Sequence, residues 1–201
     1  KLEFMAVIDL FQNETARFAY VLLPGASFAE KEGTFTNTER RVQKIRKAIE
    51  PIGESQPDWW IIKEISNRFG YCMNYKSPEE IMEEIRQVTP SYAGITYARL
   101  EGGGLSWPCP DTKHPGTKFL HKDRFARGKG LFYPIEYKDP AEKPDEEYAF
   151  WLTTGRMYFH YHTGTMTRNS PSLHNEVPEA YVELNPGNGI EIGVKDGELV
   201  K

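Results

Sequence analysis

Thr154-Gly155-Arg156-Met157-Tyr158-Phe159-His160-Tyr161-His162-Thr163-Gly164-Thr165-Met166-Thr167-Arg168 follows, one residue on, the apolar run Ala149-Phe150-Trp151-Leu152. That run reads as a strand, so the chain leaves a sheet and enters a segment with two arginines, two histidines, four threonines and two glycines. Nearly all of these groups are hydrogen-bond donors or cations, and glycine lets backbone N–H groups come close to a ligand. The chemistry suits a polyanion, phosphate or pyrophosphate above all. On composition alone the alternative is a polar turn over the end of a sheet.

Working outward, 201 residues suffice for one good core or two small ones, and 39% hydrophobic with 27% charged residues is ordinary for a globular chain. A net charge of −4 argues against a general nucleic-acid partner. The basic run Arg40-Arg41-Val42-Gln43-Lys44-Ile45-Arg46-Lys47 is the local exception and reads as a solvated face. No apolar stretch approaches the roughly 18 residues a membrane span needs. The nearest, Phe18 to Ala29, is broken by Pro24-Gly25. The start Lys1-Leu2-Glu3 lacks both a signal-peptide pattern and an initiator Met, as an internal piece would. Two cysteines, Cys72 and Cys109, fall short of the four thiolates of an iron–sulfur cluster and read as small buried hydrophobes.

Periodicity predicts strands at Glu3 to Ile8 and Tyr20 to Leu23 around a short helix at Glu14 to Ala19, a βαβ-like unit at the edge of a parallel sheet. Two longer helices follow. Asp58 to Phe69 has Asp58 as its cap and an apolar stripe of Trp59, Ile62, Ile65 and Phe69. Ser77 to Val88 opens with a Ser77–Glu80 capping box and turns Ile81, Ile85 and Val88 inward. Thr89 to Pro144 shows few elements beyond a turn at Glu101-Gly102-Gly103-Gly104 and a strand at Leu131 to Tyr137. Asp139 to Glu147 reads as a linker. Beyond it, Tyr148 to Thr153 and Ala180 to Leu184 are β-like, Asn185-Pro186-Gly187-Asn188-Gly189 is a turn, and Val194 to Lys201 is a turn entering a strand.

The loop at Thr154 to Arg168 resembles the dinucleotide-binding loop of the molybdopterin oxidoreductases. Val21 to Gln43, with Pro24-Gly25-Ala26-Ser27-Phe28-Ala29-Glu30-Lys31-Glu32-Gly33-Thr34 at its heart, resembles a second signature of that family. Asp58-Trp59 with Ile61-Ile62, then Trp107-Pro108-Cys109-Pro110, resemble its formate dehydrogenase branch, catalytic (alpha) subunit. The resemblance implies an α/β fragment from the C-terminal half of that subunit. Residues 1–75 would be the edge of a Rossmann-like parallel-sheet domain, 76–147 a helix, Gly/Pro-rich excursion and linker, and 148–201 the beginning of a double-psi β-barrel domain. It also implies an extended path for Glu39 to Ile49, which composition alone would make helical.

The implied cofactor is bis(molybdopterin guanine dinucleotide) with molybdenum or tungsten, and a 4Fe-4S cluster in the N-terminal part of the parent. The implied partners are the remainder of the catalytic subunit and electron-transfer iron–sulfur subunits, in the cytoplasm or alternatively the periplasm. No catalytic residue and no metal ligand is expected in these residues. The alternatives are another member such as a nitrate reductase, or a non-catalytic structural relative in a respiratory complex.

Asp9 and Asp58 suit guanine or ribose, because a carboxylate accepts two parallel hydrogen bonds. The resemblance assigns Lys31 and the stretch containing Thr154, Gly155, Arg156, Met157, His160, Tyr161, His162 and Thr163 to the cofactor. Met157 and Phe159 are equally open to a packing role. His160 and His162, two apart, would share a face of a strand. With no third ligand nearby they read as donors to an anion rather than as a metal pair.

Overall fold

A computed structural model describes residues 2–200. The chain divides into two compact units, residues 1–139 and 140–201.

In the first unit, β1 (Ala6–Asp9) and β2 (Val21–Pro24) pair in parallel, with Asp9 opposite Pro24. Their connection holds a 3-10 turn at Thr15–Phe18 where a short helix is expected. Asn13 organises this connection: its side-chain oxygen accepts the Ala16 N–H (3.0 Å) and its amide donates to Asp9 Oδ2 (2.6 Å).

The segment expected to be extended is a hairpin. β3 (Gly33–Thr36) and β4 (Arg41–Ile45) are antiparallel, and β5 (Leu105–Ser106) adds to the other edge of β4. The hairpin loop is tied by Asn37, whose Oδ1 accepts from the Glu39 and Arg41 N–H groups. It ends on Arg40 at φ +62°, a left-handed position unusual for a side chain with a Cβ. Distant contacts hold Arg40 there. Its guanidinium donates to the carbonyls of Trp107, Thr117 and Lys118 and lies 5.6 Å from the Trp107 ring. These are charge-assisted contacts, the stronger class of hydrogen bond.

The first unit holds two longer helices. α1 (Asp58–Arg68) is capped by Pro57, and Asp58 is its first residue, not its cap. The expected apolar stripe is displaced too: Ile61 is buried, while Ile62 and Phe69 are exposed. α2 (Pro78–Val88) is capped by Ser77 Oγ, which accepts the Glu80 N–H at 3.3 Å. Glu80 returns its bond to Lys76 N–H (2.8 Å) rather than to Ser77, so the capping box is shifted by one residue. Met82 is its buried residue, and Val88 lies exposed.

The core is Val42, Met82, Ile95, Tyr97, Leu100 and Cys109, backed by Tyr92, Leu105 and Trp107. Most of it therefore comes from the stretch where the sequence shows few elements. There α3 (Tyr97–Leu100), capped by Thr96, is followed by β5 and a cis Trp107–Pro108 bond. Arg99 ties this stretch together by donating to the carbonyls of Gly94 and His114. Cys109 is fully buried as expected, but Cys72 is exposed. The expected strand at Leu131 to Tyr137 is absent and its apolar side chains are exposed.

The second unit is short of regular structure. The expected strands at Tyr148 to Thr153 and Ala180 to Leu184 do not form. A strand exists only through its hydrogen-bonded neighbour, and neither run finds one among the described residues. α4 (Pro171–Glu176) follows a 3-10 turn at Thr167–Asn169. The expected turn at Asn185–Gly189 instead begins α5 (Pro186–Ile192). Asn185 caps it by accepting the Gly187 N–H at 2.9 Å, Pro186 takes the first position, and Gly193 closes it at φ +73°. The turn near Val194 is present, closed by Glu198 N–H to Lys195 O at 3.1 Å.

Candidate functional site

Two clusters carry the candidate residues, one in each unit. In the first, the chain runs off the C-terminal end of a parallel pair, the edge where such sheets bind ligands. Asp9 ends β1 and Gly25 follows β2. Gly25 pairs with Gln56, which brings the start of α1 alongside. A Cβ built on Gly25 would meet Asp58 Oδ1 at 3.1 Å and the Asp9 carbonyl carbon at 3.8 Å, so this glycine keeps the two carboxylate-bearing segments in contact.

Lys31 pairs with the other Asp58 oxygen, Oδ2, with the lysine 21% and the aspartate 49% exposed. The pair therefore leaves Oδ1 free to accept from a ligand. Asp9 is more committed. Its Oδ1 accepts Leu10 N–H (2.7 Å) and its Oδ2 the Asn13 amide (2.6 Å). Each oxygen keeps one lone pair for anything further.

Lys31 is placed by Glu30, which is 5% exposed. Its carboxylate accepts Ser27 N–H (2.7 Å) and Ile52 N–H (2.8 Å), clamping the Ser27–Glu30 turn onto the loop before α1. The Ser27 bonds first, and then the Ile52 bond, hold its pKa below the ordinary 4.5. Sequence reasoning passed over Glu30, whose only signal is its place three residues after Ser27.

Lys31 and Asp58 also line a cavity of about 240 Å³ whose other walls include Phe35, Trp59, Ile81, Met82 and Tyr97. Burial first, then Glu32 and Glu79, push the Tyr97 hydroxyl up to about 12, so it stays a neutral donor across the physiological range.

The second cluster lines a more polar cavity of about 300 Å³: Thr154, Gly155, Arg156, Met157, His160, His162 and Thr163. Tyr161 lies between them in sequence but outside this lining, 65% exposed. Arg156 and His162 form no hydrogen bond or ion pair among the described residues, so their donors remain free. Thr163 reaches only Thr165, at 3.3 Å. A Cβ at Gly155 would meet nothing within 4 Å, so nothing in the described chain demands glycine there. Gly164 differs: it is buried at φ +81°, with the Arg168 side chain against it. Arg168 itself donates to Pro178 O at 2.8 Å and forms no ion pair among the described residues.

The two histidines do not share a strand face. His162 is exposed at φ +53°, whereas His160 is 7% exposed with both ring nitrogens bonded. No group of three or more metal-ligating side chains occurs among the described residues. The two cavities offer free cationic and hydroxyl donors in one unit and a half-free carboxylate in the other. Cationic and hydroxyl donors suit phosphate oxygens, and a carboxylate with an open oxygen suits the paired donors of a base or ribose.

Comparison with known proteins agrees with this division. Residues 1–68, holding Asp9, Lys31 and Asp58, match the family model described as Molybdopterin oxidoreductase. Residues 150–201, holding the polar loop, match the model described as Molydopterin dinucleotide binding domain. The whole chain is 53% identical to the F420-dependent formate dehydrogenase subunit alpha of Methanocaldococcus jannaschii, covering 30% of that protein. It is 48% identical to the F420-dependent formate dehydrogenase 2 subunit alpha of Methanococcus maripaludis, again over 30% of its length. A probable oxidoreductase of Bacillus subtilis is 43% identical, with 20% covered. Among solved structures, acetylene hydratase from Pelobacter acetylenicus shares the fold over 98% of this chain and 29% of its own, with a TM-score of 0.63 and 17% identity. Each cluster thus falls inside its own matched model, and the chain carries a molybdopterin oxidoreductase segment at residues 1–68 and a molydopterin dinucleotide binding segment at residues 150–201.

Proposed function

We propose that this chain is the cofactor-holding portion of a molybdenum- or tungsten-dependent formate dehydrogenase. It would bind the molybdopterin guanine dinucleotide of a bis(molybdopterin guanine dinucleotide) centre. The observation that carries the reading is the free donor set of the 154–163 loop, lying within the segment that matches a dinucleotide-binding model. Identities of 53% and 48% to formate dehydrogenase alpha subunits support the substrate class.

In this reading Arg156 clamps phosphate with its planar fork, while His162, Thr154 and Thr163 donate to the remaining oxygens. In the other unit, Asp58 Oδ1 accepts from the guanine edge or ribose while Lys31 holds Oδ2 in place. Asp9 orders its own turn and contributes its remaining lone pairs. Met157 gives the cavity an apolar wall, and Tyr161, exposed and outside the lining, is assigned to the cofactor by its place in the stretch. The chemistry supplied at the bound centre is two-electron oxidation of formate to CO2, with electrons leaving singly through iron–sulfur clusters. This chain's residues position and neutralise the cofactor's charge, and the metal ligand and 4Fe-4S cysteines would lie in other parts of the subunit.

Residues 1–75 form the edge of a Rossmann-like sheet, 76–147 the excursion and linker, and 148–201 the start of a double-psi barrel. The remainder of the catalytic subunit would supply the strands that Tyr148 to Thr153 and Ala180 to Leu184 need as neighbours. Electron-transfer iron–sulfur subunits complete the assembly, in the cytoplasm. No helix among the described residues is long and apolar enough to cross a membrane.

The test is replacement in the full-length enzyme followed by assay of bound guanine nucleotide and metal per polypeptide. Arg156→Lys and Asp58→Asn are expected to lower both. Wild-type content in both variants would contradict the reading.

A further inference from the structure

His160 is the most enclosed side chain of the polar loop, and neither of its ring nitrogens is free. Nε2 lies 2.8 Å from the carbonyl of Val177, the residue just after α4, and Nδ1 lies 2.9 Å from Thr167 Oγ1. A carbonyl only accepts, so Nε2 carries the proton. In the neutral ring Nδ1 then accepts, and the Thr167 hydroxyl donates to it. The same Thr167 oxygen accepts the Tyr161 N–H at 3.3 Å. The result is one chain of donors, from the Tyr161 backbone through the Thr167 hydroxyl and the His160 ring to the end of α4. It ties the middle of the cavity-lining loop to a helix terminus, while Arg156 and His162 keep their donors free.

We propose that His160 and Thr167 are positioning residues: they set the loop backbone that aims Arg156 and His162 at phosphate, and His160 gives no hydrogen bond of its own to the cofactor. This rests on the reading of the loop as a dinucleotide site. It separates two histidines that sequence places side by side, one presenting and one holding. It also assigns a function to Thr167, which does not line the cavity.

The test uses the purified, cofactor-loaded full-length enzyme and follows loss of guanine nucleotide over time after gel filtration, with the thermal midpoint as a control for global stability. Thr167→Val keeps the shape and removes the hydroxyl, while Thr167→Ser restores it. The valine variant should lose nucleotide about five- to tenfold faster than wild type, and the serine variant should stay within about twofold. His160→Gln keeps a donor near Val177 and loses the Thr167 link. Adding Thr167→Val to it should cause no further acceleration, because both changes cut one chain. If Thr167→Val holds nucleotide like wild type while His160→Gln and Arg156→Lys both lose it, His160 touches the cofactor directly and the positioning role is overturned. If Arg156→Lys alone loses nucleotide, neither residue positions the loop. If all variants including Arg156→Lys hold nucleotide at the wild-type rate, the loop is no phosphate site and the underlying reading fails instead.

Discussion

The two units of this chain spend their polar groups in opposite ways. In residues 1–139 several cations are held by partners: Arg40 and Arg99 are tied to carbonyls, Lys44 and Arg46 to Glu101, and Lys31 to Asp58. In residues 140–201 the loop arginine Arg156 and His162 have no partner among the described residues, and apolar side chains such as Leu152 and Ile190 stand more than four-fifths exposed. A region with its own core uses charge to fix loops. A region with little core holds its donors in readiness for something it does not itself contain. Binding chemistry is therefore easiest to see where the fold is least complete.

The sharpest way to break this contrast is truncation of packed residues. Ile95 has no exposed surface, and Ile95→Ala should cost about 2–5 kcal/mol through lost burial and the cavity left behind. The expected readout is a large fall in the unfolding midpoint of the full-length enzyme. A change as small as that of a surface substitution would mean that the core is elsewhere.

Asp58→Asn and Lys31→Ala come next. Each weakens a charge-assisted contact worth roughly 1.5–3 kcal/mol, so nucleotide affinity should fall about ten- to a hundredfold. Because Pro57 and not Asp58 caps α1, Asp58→Asn leaves the cap intact and removes only a first-turn charge, a loss of about 0.3–1 kcal/mol in helix stability. Equilibrium nucleotide binding alongside thermal unfolding separates the two effects. Unchanged binding with lowered stability would confine the pair to a structural role.

Arg156→Lys should have a smaller effect, about fivefold to tenfold on nucleotide dissociation, because charge survives and only the fork geometry is lost. Its unfolding midpoint should not move, since Arg156 contacts no described partner. A shifted midpoint would reveal a structural contact.

The smallest expected effect is on pH dependence. Glu30 is held below its ordinary pKa by the Ser27 and Ile52 N–H groups. Its contribution to stability is therefore fully present above about pH 4.5, and is lost as pH falls through the lower folded value. Glu30→Gln should flatten the acid limb of the stability curve while lowering the plateau near neutrality. An unaltered acid limb would show that the clamp does not couple to folding.

What sequence made legible divides along the same line. α1 and α2 were readable because a Pro or Ser start and an apolar period act within one segment. Even so, burial of Ile61 and Met82, with Phe69 and Val88 exposed, shows that the face was set by tertiary packing, for α2 against β3, rather than by the helix itself. The hairpin turn was hidden because its left-handed residue is Arg40, not Asn or Gly, and is held by carbonyls some seventy residues away. Residues 92–109 looked irregular because long-range bonds order them, not periodicity. The strands expected at Tyr148 to Thr153 and Ala180 to Leu184 were β-like in composition but had no neighbour, and α5 was obscured by its Pro and Gly residues. At the candidate site, residue types marked the 154–163 stretch as donor-rich, and most of it lines one cavity. They did not show that Lys31 and Asp58 face each other, nor that His160 and His162 have opposite surroundings.

The central claim is that both regions hold one class of ligand, a guanine dinucleotide. It is tested most directly by denaturing the purified full-length enzyme and quantifying released guanine nucleotide per polypeptide for wild type, Asp58→Asn and Arg156→Lys. Stoichiometric guanine nucleotide in wild type, reduced in both variants, is the predicted result. Absence of guanine nucleotide from wild type, or full content in both variants, would contradict it.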